Sequence, residues 1–193
     1  MGGVECGGRK HGGDGAGAVA LTKSGASTLV LAGANTYTGG TFINGGSVSL
    51  AADAALGAVP ASAATNLTLA GGNLTATNNV ALAANRNVSV TADSTLAAAA
   101  GKTLTVNGAI AGSGGLTATG NGTLVFGAAN SYTGNTRVAA GTLALGHANA
   151  LGTTAAGTTV AAGASLELQG GITVGAEALS VVGTGSATNG ALR

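Results

Sequence analysis

Apolar residues alternate with small polar ones in short bursts along the chain. Apolar-x-apolar triplets begin at Leu29, Val48, Leu67, Val88, Leu104, Leu124, Leu143 and Leu166, at steps of 19, 19, 21, 16, 20, 19 and 23 residues. Val48-Ser49-Leu50 and Leu104-Thr105-Val106 are examples. A period of two puts one set of side chains inward and the other outward, which is the signature of a half-buried strand. Clusters such as Ala70-Gly71-Gly72-Asn73 separate the bursts and read as turns. No stripe with a 3.6-residue period appears, and Thr, Gly and Asn are weak helix formers. The pattern predicts an all-β chain of many short strands.

A beat near 20 residues describes a coil. One coil cannot bury its own inward residues, so coils must stack and stability becomes a sum over their interfaces. The fold expected is a parallel β-helix, a solenoid of roughly eight coils, which at ~4.8 Å per step is about 40 Å long. Composition fits a narrow interior: 45% of residues are hydrophobic but only 2% aromatic, with 37 Gly and one Pro. Gly and Asn suit turns that require positive φ. Asn side chains at successive turns are expected to form a hydrogen-bonded ladder along the axis. Residues 1–18 hold many Gly and no alternation, so they are expected to be a Gly-rich disordered tail, with the solenoid spanning 19–193.

A longer repeat overlies the beat. Leu21 to Gly57 matches Leu116 to Gly152 without a gap, at an offset of 95 residues. Thr28-Leu29-Val30 returns as Thr123-Leu124-Val125, and Ala55-Leu56-Gly57 as Ala150-Leu151-Gly152. Asn35, Tyr37, Thr38 and Gly39 return as Asn130, Tyr132, Thr133 and Gly134. The offset corresponds to five steps of the triplet beat, which places Tyr37 and Tyr132 at equivalent positions five coils apart. Neither set contains an acid, a His or a Cys, so the signature is structural.

The stretch 21–41 closely resembles the passenger-associated transport repeat, the autotransporter-associated β-strand repeat of bacterial type V secretion, and 116–136 resembles it equally. Both follow G-x-G-T-L-x-L-x-G-x-N-x-Y-T-G-x-T, with departures at Ser27 in the first copy and at Phe126 and Ala128 in the second. The resemblance implies a right-handed β-helical passenger segment, carried to the cell surface by an outer-membrane β-barrel belonging to the parent protein. Two Tyr, two Phe and no Trp cannot supply the aromatic girdles of barrel strands, so no β-barrel is expected in this chain. The first residues, MGGVECGGRKHGGDG, lack the apolar core of a signal peptide. The chain is therefore expected to be an internal passenger segment, or the product of a broken gene.

Candidate chemistry is sparse. Net charge is +1, and only Arg9-Lys10-His11 cluster, which argues against a nucleic-acid partner. Cys6 is the sole cysteine, so no internal disulfide forms. Leu96 to Thr103 imitates a phosphate loop, but Leu96 stands where that motif requires Gly, and Gly13 to Ala18 fits a dinucleotide fingerprint only in composition. His11, His147 and Cys6 are too dispersed for metal ligation. The sequons at Asn66, Asn73, Asn87 and Asn121 follow from composition. No catalytic, cofactor-binding or metal site is expected.

The expected function is structural: a surface-exposed, non-enzymatic segment that supports secretion and display, and adhesion to a host-cell or glycan ligand. Two other classes compete. A glycan-cleaving β-helix would need paired carboxylates on one face, and the acids are Glu5, Asp14, Asp53, Asp93, Glu167 and Glu177, with Asp93 and Lys102 the close opposite pair of the rod. A glycan-binding face could use hydroxyl rows such as Thr68, Thr75, Ser89 and Thr105, if they stack in one unbroken row. Low net charge also favours end-to-end self-association at open coils.

Overall fold

The computed structural model describes the backbone of residues 4–7 and the residues 18–185 and 190–193. The chain is all-β, and its parallel sheets form a solenoid of about seven turns, one fewer than the triplet beat suggests; they do not close into a barrel.

The strands follow the coils. β1 (Val4–Gly7) precedes β2 (Ala20–Lys23) and β3 (Thr28–Leu31), then β4 (Thr41–Ile43) and β5 (Ser47–Leu50). Three coils with up to three strands each follow: β6 (Ala64–Ala70), β7 (Asn73–Ala76) and β8 (Val80–Leu82); β9 (Arg86–Ala92), β10 (Ser94–Ala98) and β11 (Thr103–Val106); β12 (Ile110–Ala111), β13 (Leu116–Thr119) and β14 (Thr123–Phe126). The last are β15 (Thr136–Val138) and β16 (Thr142–Leu145), β17 (Thr158–Val160) and β18 (Ser165–Leu168), and β19 (Leu179–Val181).

They build three faces. The first is β1-β2-β4-β6-β9-β12, the second β3-β5-β7-β10-β13-β15-β17-β19, and the third β8-β11-β14-β16-β18. All pairings are parallel except β1 with β2. In-register stacking turns the alternation into interior columns. Val48, Leu74, Leu96, Ala118, Val138 and Val160 succeed one another on the second face, and Leu104, Leu124, Leu143 and Leu166 on the third. All are buried. Each buried Val or Leu contributes roughly 1.5–3 kcal/mol of hydrophobic stabilisation, and a column of slim side chains lets three faces approach one another.

Two findings bear on these expectations. Within the stretch 1–18, Val4–Gly7 runs antiparallel to β2, with Val4 opposite Lys23 and Gly7 opposite Ala20. A short strand opposite β2 covers an otherwise open sheet edge. The remainder of that stretch up to residue 17, including Arg9, Lys10 and His11, lies outside the described residues.

The second concerns the repeat. The first copy puts β2 and β4 on the first face and β3 and β5 on the second; the second copy puts β13 and β15 on the second face and β14 and β16 on the third. The copies are thus about four and one third turns apart, not five. Triplets at Val48 and Leu67 lie on different faces with one face between them along the chain, as do those at Val88 and Leu104. Two of the five steps are therefore only two thirds of a turn.

Candidate functional site

Each repeat copy supplies strands for two faces and fills the remaining face with loops. In the first copy those loops are 32–40 and 51–63, at the end of the solenoid where the third sheet has not yet begun. In the second they are 127–135 and 146–157, beyond β12, where the first sheet has ended. Loop stacks on loop, and the signature residues make the stack possible.

Asn130 is the central clamp. Its backbone N–H donates to Asn149 O (2.9 Å) and its Nδ2 to Ala150 O (2.6 Å), both on the coil above. Its Oδ1 accepts from Ile110 N (2.8 Å) on the coil below. One buried amide thus supplies the donor and acceptor that a strand backbone would supply. The first copy repeats the upper half: Asn35 N donates to Ala54 O (2.9 Å) and Asn35 Nδ2 to Ala55 O (2.8 Å). Other turn Asn side chains work in the same way. Asn107 Nδ2 donates to Leu82 O (3.1 Å), and Asn87 Oδ1 accepts from Ala109 N (3.1 Å). These Asn side chains therefore bond the backbone of the neighbouring coil and not one another, in place of the expected Asn ladder.

The tyrosines anchor the loops inward. Tyr132 is fully buried, and its hydroxyl lies 2.6 Å from Thr136 Oγ1. Tyr37 is half-buried, with its hydroxyl 2.8 Å from Thr41 Oγ1. Thr41 and Thr136, polar residues at inward strand positions, are buried because a tyrosine hydroxyl meets them. Burial pushes the Tyr132 phenol above its ordinary value; the Thr136 hydrogen bond pulls the other way and Glu177 adds a small further rise.

The glycines mark close approaches. A Cβ on Gly39 would lie 2.7 Å from Val19 O, and one on Gly134 2.3 Å from Gly114 C. Gly57 and Gly152 adopt φ of 85° and 83°, and a Cβ on either would lie 2.5 Å from the carbonyl oxygen of Tyr37 or Tyr132. Those same carbonyls accept from Ala58 N (2.9 Å) and Thr153 N (3.0 Å). Thr133 is exposed and contributes its backbone, donating to Gly112 O (2.9 Å); Thr38 is exposed too. Of the eight signature residues, Asn35, Tyr37, Asn130 and Tyr132 bond through their side chains, one Asn/Tyr clasp per copy, Gly39 and Gly134 sit at close approaches, and Thr133 bonds through its backbone.

Sequence reasoning missed two buried cations. Arg86 is fully buried on β9 and reaches back to the 3-10 turn Asp53–Leu56. Its Nε lies 2.8 Å from Asp53 Oδ1, and its guanidinium also donates to Leu56 O (3.1 Å), Gly57 O (2.9 Å) and Asn66 Oδ1. Lys23 Nζ, also buried, donates to Ser24 O (2.9 Å), Gly25 O (2.7 Å) and Gly45 O (3.1 Å). Neither recurs at the 95-residue offset, where Val181 and Ala118 stand, so the repeat gave no signal. Asp93 is exposed, in keeping with a solvated coil edge, and its Oδ1 accepts from Gly115 N (2.8 Å). His147 accepts from Asn149 N within its own turn (3.0 Å); the side chain of Cys6 and all of His11 lie outside the described residues.

The hydroxyl rows sort differently from expectation. Thr68 and Ser89 share a column on the first face, while Thr75 and Thr105 occupy the second and third. A longer polar column does exist on the second face, through Thr95, Thr117, Arg137, Thr159 and Ser180.

Comparison with known proteins agrees with this geometry. The passenger-associated-transport-repeat family model matches residues 21–50 and 116–145, the two segments that carry the clasps. No solved structure matches the chain significantly. Over 61 residues, 32% of this chain, it is 48% identical to the adhesin BmaC autotransporter of Brucella suis biovar 1 (strain 1330), of which it spans only 2%. Two segments of the chain thus match the passenger-associated-transport-repeat model, and a third of the chain is similar to part of an autotransporter adhesin.

Proposed function

We propose that the chain is a β-helical passenger segment that supports secretion and display of its parent protein at the cell surface, and that it contributes to adhesion without catalysing a reaction. The observation that carries this is the pair of clasps at Asn35/Tyr37 and Asn130/Tyr132, each coinciding with a matched repeat and each joining one coil to the next. Passage through an outer-membrane barrel requires a chain that crosses extended and then gains stability coil by coil outside. Clasps that link adjacent coils suit such stepwise folding. The acids support a scaffold: Asp53 holds Arg86, Glu167 pairs with Arg193, and Asp93 accepts a backbone amide.

The test places the full chain between a signal peptide and an autotransporter barrel, with an epitope at residue 163, in a turn. The epitope should become accessible to antibody on intact cells. Asn130→Ala combined with Tyr132→Ala should lower surface signal and leave a protease-sensitive product. Equal surface display of wild type and double variant, or retention of the wild type in the periplasm, would overturn the proposal.

A further inference from the structure

We infer that the second face carries a binding track for an acidic polysaccharide, centred on Arg137. The column Thr95, Thr117, Arg137, Thr159, Ser180 is in register across five coils, so its outward side chains repeat every ~4.8 Å along the axis. Arg137 is its one charged member, is exposed, and makes no ion pair or side-chain hydrogen bond among the described residues. The hydroxyls of Thr95, Thr117, Thr159 and Ser180 are likewise unengaged within the described chain. Beside Thr159 and Ser180 lies an open groove of about 420 Å³, lined also by Asn135, Ala156, Gly157, Thr158, Ala178 and Leu179.

This set matches one ligand chemistry. A sugar chain lying along the axis meets a hydroxyl at four of the five rungs and an amide, Asn135, at the groove wall. A carboxylate on the sugar meets the Arg137 guanidinium, the one without a partner among the described residues, whose planar fork suits it. Two neighbouring acids are hydrogen-bonded within the protein: Glu177 accepts from the Thr158 hydroxyl (2.9 Å) and Asp93 from Gly115 N. Arg137 occupies the repeat position of Phe42, which is exposed on the first face. The outward slot of this strand therefore varies between copies while the inward residues keep their type, as befits a display position.

The track rests on the reading of the segment as a displayed surface only for its biological setting, since binding is measured on the isolated chain. The test is calorimetric titration of the full chain with hexagalacturonate at low salt, beside its carboxyl-reduced neutral counterpart. Saturable binding is expected to weaken at least tenfold in Arg137→Gln, to weaken severalfold in Thr159→Val, and to be unchanged in Lys102→Gln, a cation off this face. The neutral hexamer should bind at least tenfold more weakly than the acid. Circular dichroism melts of each variant verify folding, and the exposed position of Arg137 keeps that variant informative if Thr159→Val unfolds. Absence of saturable binding by wild type, equal affinity in Arg137→Gln, or an equal loss in Lys102→Gln would overturn the inference.

Discussion

The Tyr132 hydroxyl lies 2.6 Å from Thr136 Oγ1 in a site from which water is excluded, and it is the partner that keeps the Thr136 hydroxyl satisfied. Removing it in Tyr132→Phe leaves a buried hydroxyl alone, at a cost of about 1–3 kcal/mol. Tyr37→Phe should cost less: Tyr37 is half-buried, and Thr41 Oγ1 also reaches Leu56 O (3.2 Å). Urea unfolding of the two variants gives the comparison directly, and a larger loss for Tyr37→Phe would contradict the clasp geometry.

The same tyrosine sets an alkaline limit. Because burial raises its folded pKa, the folded state holds its proton after the unfolded chain has released it. Its contribution is fully present below the unfolded value of about 10 and declines as pH rises above it. Stability followed by chemical denaturation should therefore fall above about pH 10, more steeply in wild type than in Tyr132→Phe.

Gly57 and Gly152 test the stacking of loop on loop. Gly57 has φ 85° and ψ −176°, a region open essentially to Gly alone, where other residues lose about 1–3 kcal/mol. An added methyl would also press on the Tyr37 carbonyl. Gly57→Ala and Gly152→Ala should each lower the melting temperature, whereas Gly163→Ala, with open space around it, should show only the backbone part of the loss.

Arg86 is fully buried, and its partner Asp53 is half-buried. Arg86→Met leaves Leu56 O, Gly57 O and Asn66 Oδ1 without their donor together, and each buried acceptor left unpaired costs about 1–3 kcal/mol. Asp53→Asn leaves those three acceptors in place and should cost less. A double-mutant cycle by thermal unfolding measures the coupling; additive losses would show that the two side chains act independently.

End-to-end association remains a proposal with a direct check. Val181 continues the interior column above Val160 yet is 41% exposed, as is Leu179, and Val182 is 53% exposed. A second copy whose coil covers them would bury apolar surface, so sedimentation should show concentration-dependent assembly of wild type, suppressed by Val181→Lys. A wild type that sediments as a monomer throughout would dismiss it.

The strand alternation, the stacked coils and the repeat were legible because each is a local pattern. Leu104-Thr105-Val106 announces its own inward and outward sides, and Asn130 and Tyr132 announce themselves by returning. The pairing of Arg86 with Asp53 spans 33 residues and depends on how coils superimpose, which no local pattern encodes. The face on which each triplet falls was hidden for the same reason. A step of 19 residues is a full turn from Leu29 to Val48 but two thirds of one from Val48 to Leu67. The difference lies in where loops such as 51–63 replace a strand.

The third of a turn left over between the two copies makes the repeat behave as a screw thread. Phe42 and Arg137 occupy the same slot in the sequence, yet one looks out from the first face and the other from the second. A rod continued at this interval would bring any given slot back to its starting direction at every third copy, the fourth repeating the first. A flat partner lying along the rod could engage a single copy in three, whereas a flexible chain winding around it could follow them all.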